Sequence, residues 1–374
     1  MELTQTKKII CVATPLYPPE IGGPATHIRF LEQNLGDDFT LRVVKFSDVA
    51  GYPKGIKHIV YFFKILTRGL GADIVYTLDP VSVGFPALLA SKILGKKLVL
   101  RVGGDYAWEQ GVQRFGVTET LDEFIANTQT SSSVRTLQRV QSYVAKGAEA
   151  VVAPSGYLAG VIKSWGVPIE HIQVIYSQPE IHESNVNREE ARKVLGIHEN
   201  ERIVFSAGRL VPWKGFASLL EVMSTLREGY TLVIAGAGPD DARLQKIASD
   251  LSVLNRVRFL GQIPKEQMSL WLSASDVFVL NTKYEGLSHM ILEAFSSGIP
   301  VVTTSVGGNT ELVVNEITGL LVTPDSVPQL TSAITKVVTD RVLANTLAQS
   351  ARASLVRFNS AHSLEQLRSL FQTL

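Results

Sequence analysis

Two carboxylates, Glu285 and Glu293, bracket the segment Glu285-Gly-Leu-Ser-His-Met-Ile-Leu-Glu293. On one unbroken helix they would lie about 12 Å apart along the axis. Gly286 argues against an unbroken helix. The spacing therefore predicts Glu285 in the loop entering a helix and Glu293 on the helix itself. The run of helix formers from Ser288 to Ser297 ends at Gly298, which suits a helix stop. A polyhydroxylated ligand at that helix start could be held by both acids. A single glutamate on a helix is usually just solvated, so the functional reading depends on the company these residues keep.

That company is a set of glycine-rich loops, each directly after an apolar run. Gly208-Arg209-Leu-Val-Pro-Trp-Lys214-Gly215 follows one such run. Its two cations can converge on a diphosphate, Arg209 through its planar fork and Lys214 as a point charge. Gly22 and Gly23 precede a helical stretch, where freed N–H groups and the helix dipole favour an anion; a plain Gly-Pro turn explains them equally well. Gly236-Ala-Gly238-Pro-Asp-Asp241 resembles a dinucleotide fingerprint only until its sixth position, and reads as a close-approach turn. Gly307-Gly308-Asn-Thr-Glu311 repeats the paired glycines before a helix, with Glu311 placed to suit the dipole. In Gly103-Gly104-Asp105, the carboxylate could accept a bond from a sugar hydroxyl or cap a helix.

Positioning these loops is the work of short apolar runs alternating with helical stretches. Strands are expected at Lys8–Ala13, Thr40–Phe46, Ile74–Leu78, Leu98–Val102, Ala150–Ala153 and Gln173–Ile175, and again at Ile203–Ala207, Thr231–Ala235, Val257–Leu260, Val277–Leu280 and Val301–Thr303. This is the rhythm of two doubly wound α/β domains with parallel sheets, joined by a polar segment from His182 to Glu190. Ligands of such sheets bind beyond the carboxyl ends of the strands, where the unusual residues fall.

Composition narrows the field. The 374 residues allow two domains, 45% hydrophobic residues supply two cores, and a net charge of +1 gives no reason to expect a nucleic-acid partner. The single cysteine, Cys11, sits in an apolar strand and reads as a core residue. No run reaches the ~18 apolar residues of a spanning helix. The stretch Ile59 to Leu66, with His58, Lys64 and Arg68 about it, reads as a core-facing helix or as one resting on a membrane surface. There is no Asp-x-Asp, no His-Glu-x-x-His, no cysteine cluster and no phosphate-loop lysine motif.

Taken in order, the segments from Phe205 to Val322 resemble the family 4 retaining glycosyltransferases of GT-B fold. They are Gly208-Arg209…Lys214-Gly215, Gly236-Ala-Gly238-Pro, Glu285-Gly-Leu-Ser…Glu293-Ala, Gly298-Ile-Pro-Val-Val, Gly307-Gly308…Glu311 and Gly319-Leu-Leu-Val. The resemblance implies two Rossmann-like domains facing across a cleft. Residues 1–183 would bind the acceptor and residues 184–354 the nucleotide sugar, with residues 355–374 returning to pack on the first domain. It further implies that Arg209 and Lys214 grip the diphosphate of a UDP- or GDP-sugar, with Gly208 and Gly238 beside them. Glu293 would bind the ribose, and Glu285 would sit near the sugar ring with Gly286, Leu287 and Ser288. Ile263 would meet the base, Gly22 and Gly23 would lie near the phosphates, and Asp105 would lie close to the transferred sugar.

The expected reaction is transfer with retention to a hydroxyl of a glycan or lipid-linked acceptor, without metal or cofactor, in the cytoplasm or at the inner face of a membrane. The alternatives are a non-catalytic nucleotide-sugar binder and a nucleotide-sugar epimerase of the same fold. Two segments depart from the family pattern: Tyr176-Ser-Gln-Pro-Glu180 and Asn281-Thr282. Both are expected to alter an interdomain wall or acceptor contacts.

Overall fold

The computed structural model describes residues 7–20, 22–127, 130–176 and 186–374. The chain divides into two compact units, Met1–Ser177 with Ser360–Leu374, and Gln178–Asn359.

Among the described residues, the first unit carries six parallel strands: β1 (Lys8–Thr14), β2 (Phe39–Lys45), β3 (Ile74–Thr77), β4 (Lys97–Arg101), β5 (Ala150–Ala153) and β6 (Ile172–Val174). Their order is β2-β1-β3-β4-β5-β6. Helices cover both faces of such a sheet, so its central strands are continuous apolar runs rather than alternating ones. Every residue of β3 and β5 is buried. Cys11 is part of this core, and burial pushes its thiol up to about 11, which keeps it protonated. The last helix, Ser360–Thr373, inserts Leu367, Leu370 and Phe371 among Ile10, Ile74 and Val99. The Phe371 ring stands edge-on to Phe39 and Tyr76, with centroids 5.8 and 5.2 Å away.

The second unit repeats the plan with β7 (Arg202–Ala207), β8 (Tyr230–Ala235), β9 (Val257–Gly261), β10 (Val277–Leu280), β11 (Val301–Thr304) and β12 (Leu320–Val322). Their order is β12-β11-β10-β7-β8-β9, and every pairing is parallel. β7 and β10 are neighbours at the middle, which brings together the loops that follow them. Leu355–Phe358 stays with this unit, and the chain returns to the first at Ser360.

Among the strands and α-helices of the second unit, three go beyond the sequence expectation. β12 has only three residues. The helix Arg341–Ser354 is capped by Asp340, which accepts from the Leu343 amide. The helix Arg188–Val194 begins within the stretch expected to be a polar junction, His182 to Glu190, and runs past its end; residues 182–185 of that stretch lie outside the described residues. Its signal is the reciprocal cap of Asn187 and Glu190. Arg188 and Arg192 reach the buried Asp276 at 2.7 and 3.5 Å, and Asp276 also accepts from the Ile203 amide. The charged residues of this helix thus tie it to β7 and the entry to β10. Among the described residues, no helix is long and apolar enough to cross a membrane.

Candidate functional site

The loop after β7 closes with a 3-10 turn, Pro212–Lys214, ending at Gly215 with φ +63°. A Cβ on Gly215 would stand 1.9 Å from the Asn281 carbonyl, so only glycine fits there. Lys214 is thereby pressed against the loop after β10. Its ammonium forms an ion pair with the Glu285 carboxylate, and both side chains are less than one-fifth exposed. The expected contact of Lys214 and Glu285 with one ligand is thus preceded by contact with each other.

Several bonds stitch these two loops. Asn281 is fully buried; its Nδ2 donates to the Gly215 carbonyl at 3.0 Å and to Asp325, and its Oδ1 accepts from the Asp325 amide. Thr282 donates to the Trp213 carbonyl, and the Lys283 amide donates to the same oxygen at 2.7 Å. Asn281-Thr282 is one of the two departures from the family pattern. Asn281 and Thr282 bond to Gly215, Asp325 and Trp213 of the second unit and so anchor the Lys214 turn. Of the other departure, residues 177–180 lie outside the described residues.

Glu285 enters the helix His289–Ser297, as the glycine between the acids predicts. Ser288 is its cap and accepts from the Ile291 amide. Gly286, Leu287 and Ser288 are all buried. Gly308 explains the tight entry: its amide donates to the Glu285 carbonyl at 2.9 Å, and a Cβ there would stand 2.1 Å from the Gly286 carbonyl. Gly238 backs onto Leu210 in the same manner, the carbonyl lying 2.1 Å from where a Cβ would be. The paired glycines of this unit therefore pack loop against loop and align the loops following β7, β8, β10 and β11.

Glu293 is half-buried on the same helix, and among the described residues no hydrogen bond reaches its carboxylate. Burial pushes its pKa up to about 7, with Lys265 pulling it back. Lys265 begins the helix after β9, two residues beyond the half-buried Ile263. The predicted base contact and the predicted ribose acid are thus neighbours through Lys265, which sequence reasoning did not single out. Arg209 is exposed on the loop leaving Gly208, and among the described residues no ion pair engages it.

In the first unit, Gly22 and Gly23 open the helix Gly23–Asn34 after β1, and no side chain caps it. Asp105 follows β4, two strands along. Of the two readings open for Asp105, the structure realises the helix cap. It is 1% exposed, and it accepts from the Trp108 amide at 2.9 Å and from Gln141 Nε2 and Trp165 Nε1 at 3.1 Å. Burial raises its pKa against these bonds, so the carboxylate is committed to holding its own loop.

The family model for glycosyl transferases group 1 matches residues 187–354. The group 1 domain coincides with the unit that carries the Lys214–Glu285 pair. The chain is 36% identical over 154 residues to the lipopolysaccharide core biosynthesis glycosyltransferase LpsE of Rhizobium meliloti, covering 41% of this chain and 44% of that one. It is 32% identical over 175 residues to a GDP-mannose-dependent phosphatidylinositol monomannoside mannosyltransferase of Mycobacterium tuberculosis, covering 44% and 45%. Such matches span about half the length of the curated relatives. HepE of Anabaena, solved in complex with UDP and glucose, superposes with a TM-score of 0.80 at 21% identity over 98% of this chain and 100% of that one. At that identity the likeness concerns fold alone, and the fold is the expected GT-B type with two parallel-sheet α/β units.

Proposed function

We propose that this chain transfers a sugar from a nucleotide diphosphate sugar to a hydroxyl of a glycan or lipid-linked acceptor, with retention at the anomeric carbon. The observation that carries the reading is the convergence of Lys214, Glu285 and the start of the helix His289–Ser297 beyond the carboxyl ends of β7 and β10. A diphosphate brought there meets an ammonium and the positive end of a helix, with the Arg209 guanidinium on the same loop. As the bond from the anomeric carbon to the diphosphate oxygen breaks, negative charge grows on the departing group. Fixed cations and dipoles favour that state over the bound donor. The incoming hydroxyl attacks from the leaving-group face, and its proton passes to a phosphate oxygen. The reading calls on no metal.

Glu293 receives the ribose hydroxyls, and the backbone at Ile263 receives the base. Glu285 positions the sugar ring. Gly22 and Gly23 offer amides to the phosphates, while Asp105 acts as a positioning residue that fixes the loop after β4. The relatives' names support a glycolipid or polysaccharide setting. They also leave UDP and GDP as competing donors. The test is a thermal-shift panel of UDP-, GDP- and ADP-sugars, followed by NMR of the product anomer. A stabilising donor and a retained configuration support the reading. An inverted product, or a stabilising donor that is never consumed with any hydroxyl acceptor, sinks it.

A further inference from the structure

The helix His289–Ser297 leaves one face incompletely covered. Ile291, Leu292, Ala294, Phe295 and Ser296 are buried. The residues that remain, His289, Met290, Glu293 and Ser297, are half-buried. His289, Glu293 and Ser297 recur at every fourth position, so they form one stripe along the helix. Glu293 on that stripe is the acid assigned to the ribose. Among the described residues its carboxylate receives no hydrogen bond, although burial lifts its pKa to about 7. A buried polar group in that state suits a face that receives a ligand. His289 lies one turn nearer the helix start and has no part in the transfer scheme.

Helical side chains tilt towards the N-terminus of their helix. The His289 ring therefore leans towards the helix entry at Ser288, and the pair of Glu285 and Lys214 stands just before that entry. Along the axis the groups come in the order Lys214 with Glu285, then His289, then Glu293. Along a nucleotide sugar they come in the order sugar and outer phosphate, inner phosphate, ribose. The spacing agrees as well. One turn, about 5–6 Å, separates His289 from Glu293, and a few bonds separate the ribose hydroxyls from the inner phosphate. An imidazole presents an N–H in either charge state, and the positive end of the helix favours an anion at this place. We propose that His289 donates a hydrogen bond to the inner phosphate of the bound nucleotide, between the ribose contact of Glu293 and the outer-phosphate contact of Lys214. This assignment rests on the nucleotide-sugar reading and adds to it a donor that Arg209 and Lys214 do not supply.

The test is titration of the full chain with UDP, UMP and uridine, and with the guanosine series, followed by calorimetry and NMR. His289→Ala should weaken the diphosphate and the monophosphate alike, by about tenfold or more, and leave the nucleoside unchanged. Lys214→Ala should instead weaken the diphosphate far more than the monophosphate. His289→Phe fills the space without an N–H and should behave as His289→Ala does. His289→Gln restores a donor and should recover part of the loss. Ser297→Ala, about two turns further along the same stripe, should bind as wild type does. The ring signals of His289, assigned by their absence from the alanine variant, should move on adding UMP and stay in place on adding uridine. A His289→Ala protein that binds UMP as tightly as wild type would overturn the proposal, as would ring signals that ignore UMP. A loss confined to UDP would overturn it too, because it would place the ring at the outer phosphate. A wild-type chain that binds neither UDP nor GDP would sink the nucleotide-sugar reading and this assignment together, whereas tight wild-type binding with an unaffected His289→Ala variant would sink the assignment alone.

Discussion

Glu293 carries a carboxyl whose pKa burial lifts from 4.5 to about 7, and that fixes a sign. The folded protein holds a proton that the unfolded chain has already released, so stability falls as pH rises from about 4.5 to about 7. Glu293→Gln removes this slope. Its melting temperature should match wild type near pH 5 and exceed it by roughly 3–6 °C near pH 8, measured by scanning calorimetry across the range. A ribose diol prefers the ionised acid as acceptor, so donor affinity of wild type should rise through the same window while that of the variant stays flat. Glu285 poses the converse case. It neutralises Lys214 before any donor arrives, so Glu285→Gln frees the ammonium. Calorimetry should show the nucleoside diphosphate binding up to about tenfold tighter, while the transfer rate falls. The places of Lys214 and Glu285 in loops after strands were legible. That they pair with each other was not, because contact between positions 71 residues apart depends on which strands are neighbours.

At the scale of loops and helices, the Lys214 turn is held by a residue that local sequence marks as neutral. Asn281→Ala leaves the buried Gly215 carbonyl and Asp325 amide without their partner. The expected cost is about 2 kcal/mol or more, read as a lower urea midpoint. The KM for donor should rise as the turn loosens. Asparagine in a loop gives no hint of this role, since its partners come from the loops after β7 and β12. The glycines were legible as places of close approach, yet their neighbours are protein backbone: Leu210 behind Gly238, and Gly286 behind Gly308. Asp105 was legible as a cap or a ligand group, and the cap, with the bonds from Gln141 and Trp165, is what the structure shows. Strands longer than three residues were placed within a residue or so at each end, because continuous apolar runs bounded by glycine and polar turns leave few alternatives. β12 was not placed, although β6, equally short, was; the helix Arg188–Val194 is too charged, its apolar anchor being replaced by the Asp276 pairs.

Across the whole molecule, the chain's end completes its beginning. β1 and the last helix share one core, so the first unit lacks a packed face until Ser360–Thr373 is in place. Phe371→Ala removes a fully buried ring that touches Phe39 and Tyr76, and should cost about 3–5 kcal/mol in stability. Scanning calorimetry should show that loss in the transition to which the first unit contributes. Repetition of the βα rhythm made two sheets legible, while the return of the last helix entered only through the family resemblance, since no local pattern tells a terminal helix which sheet it will cover. The central claim is that cations of the second unit hold a nucleotide's diphosphate. Calorimetric titration of the full chain with UDP and with GDP tests it most directly, beside the double variant Arg209→Ala with Lys214→Ala. Wild type should bind at least one of the two, with affinity lowered roughly a hundredfold or more in the variant. A variant that binds the same nucleotide as tightly as wild type would contradict the account.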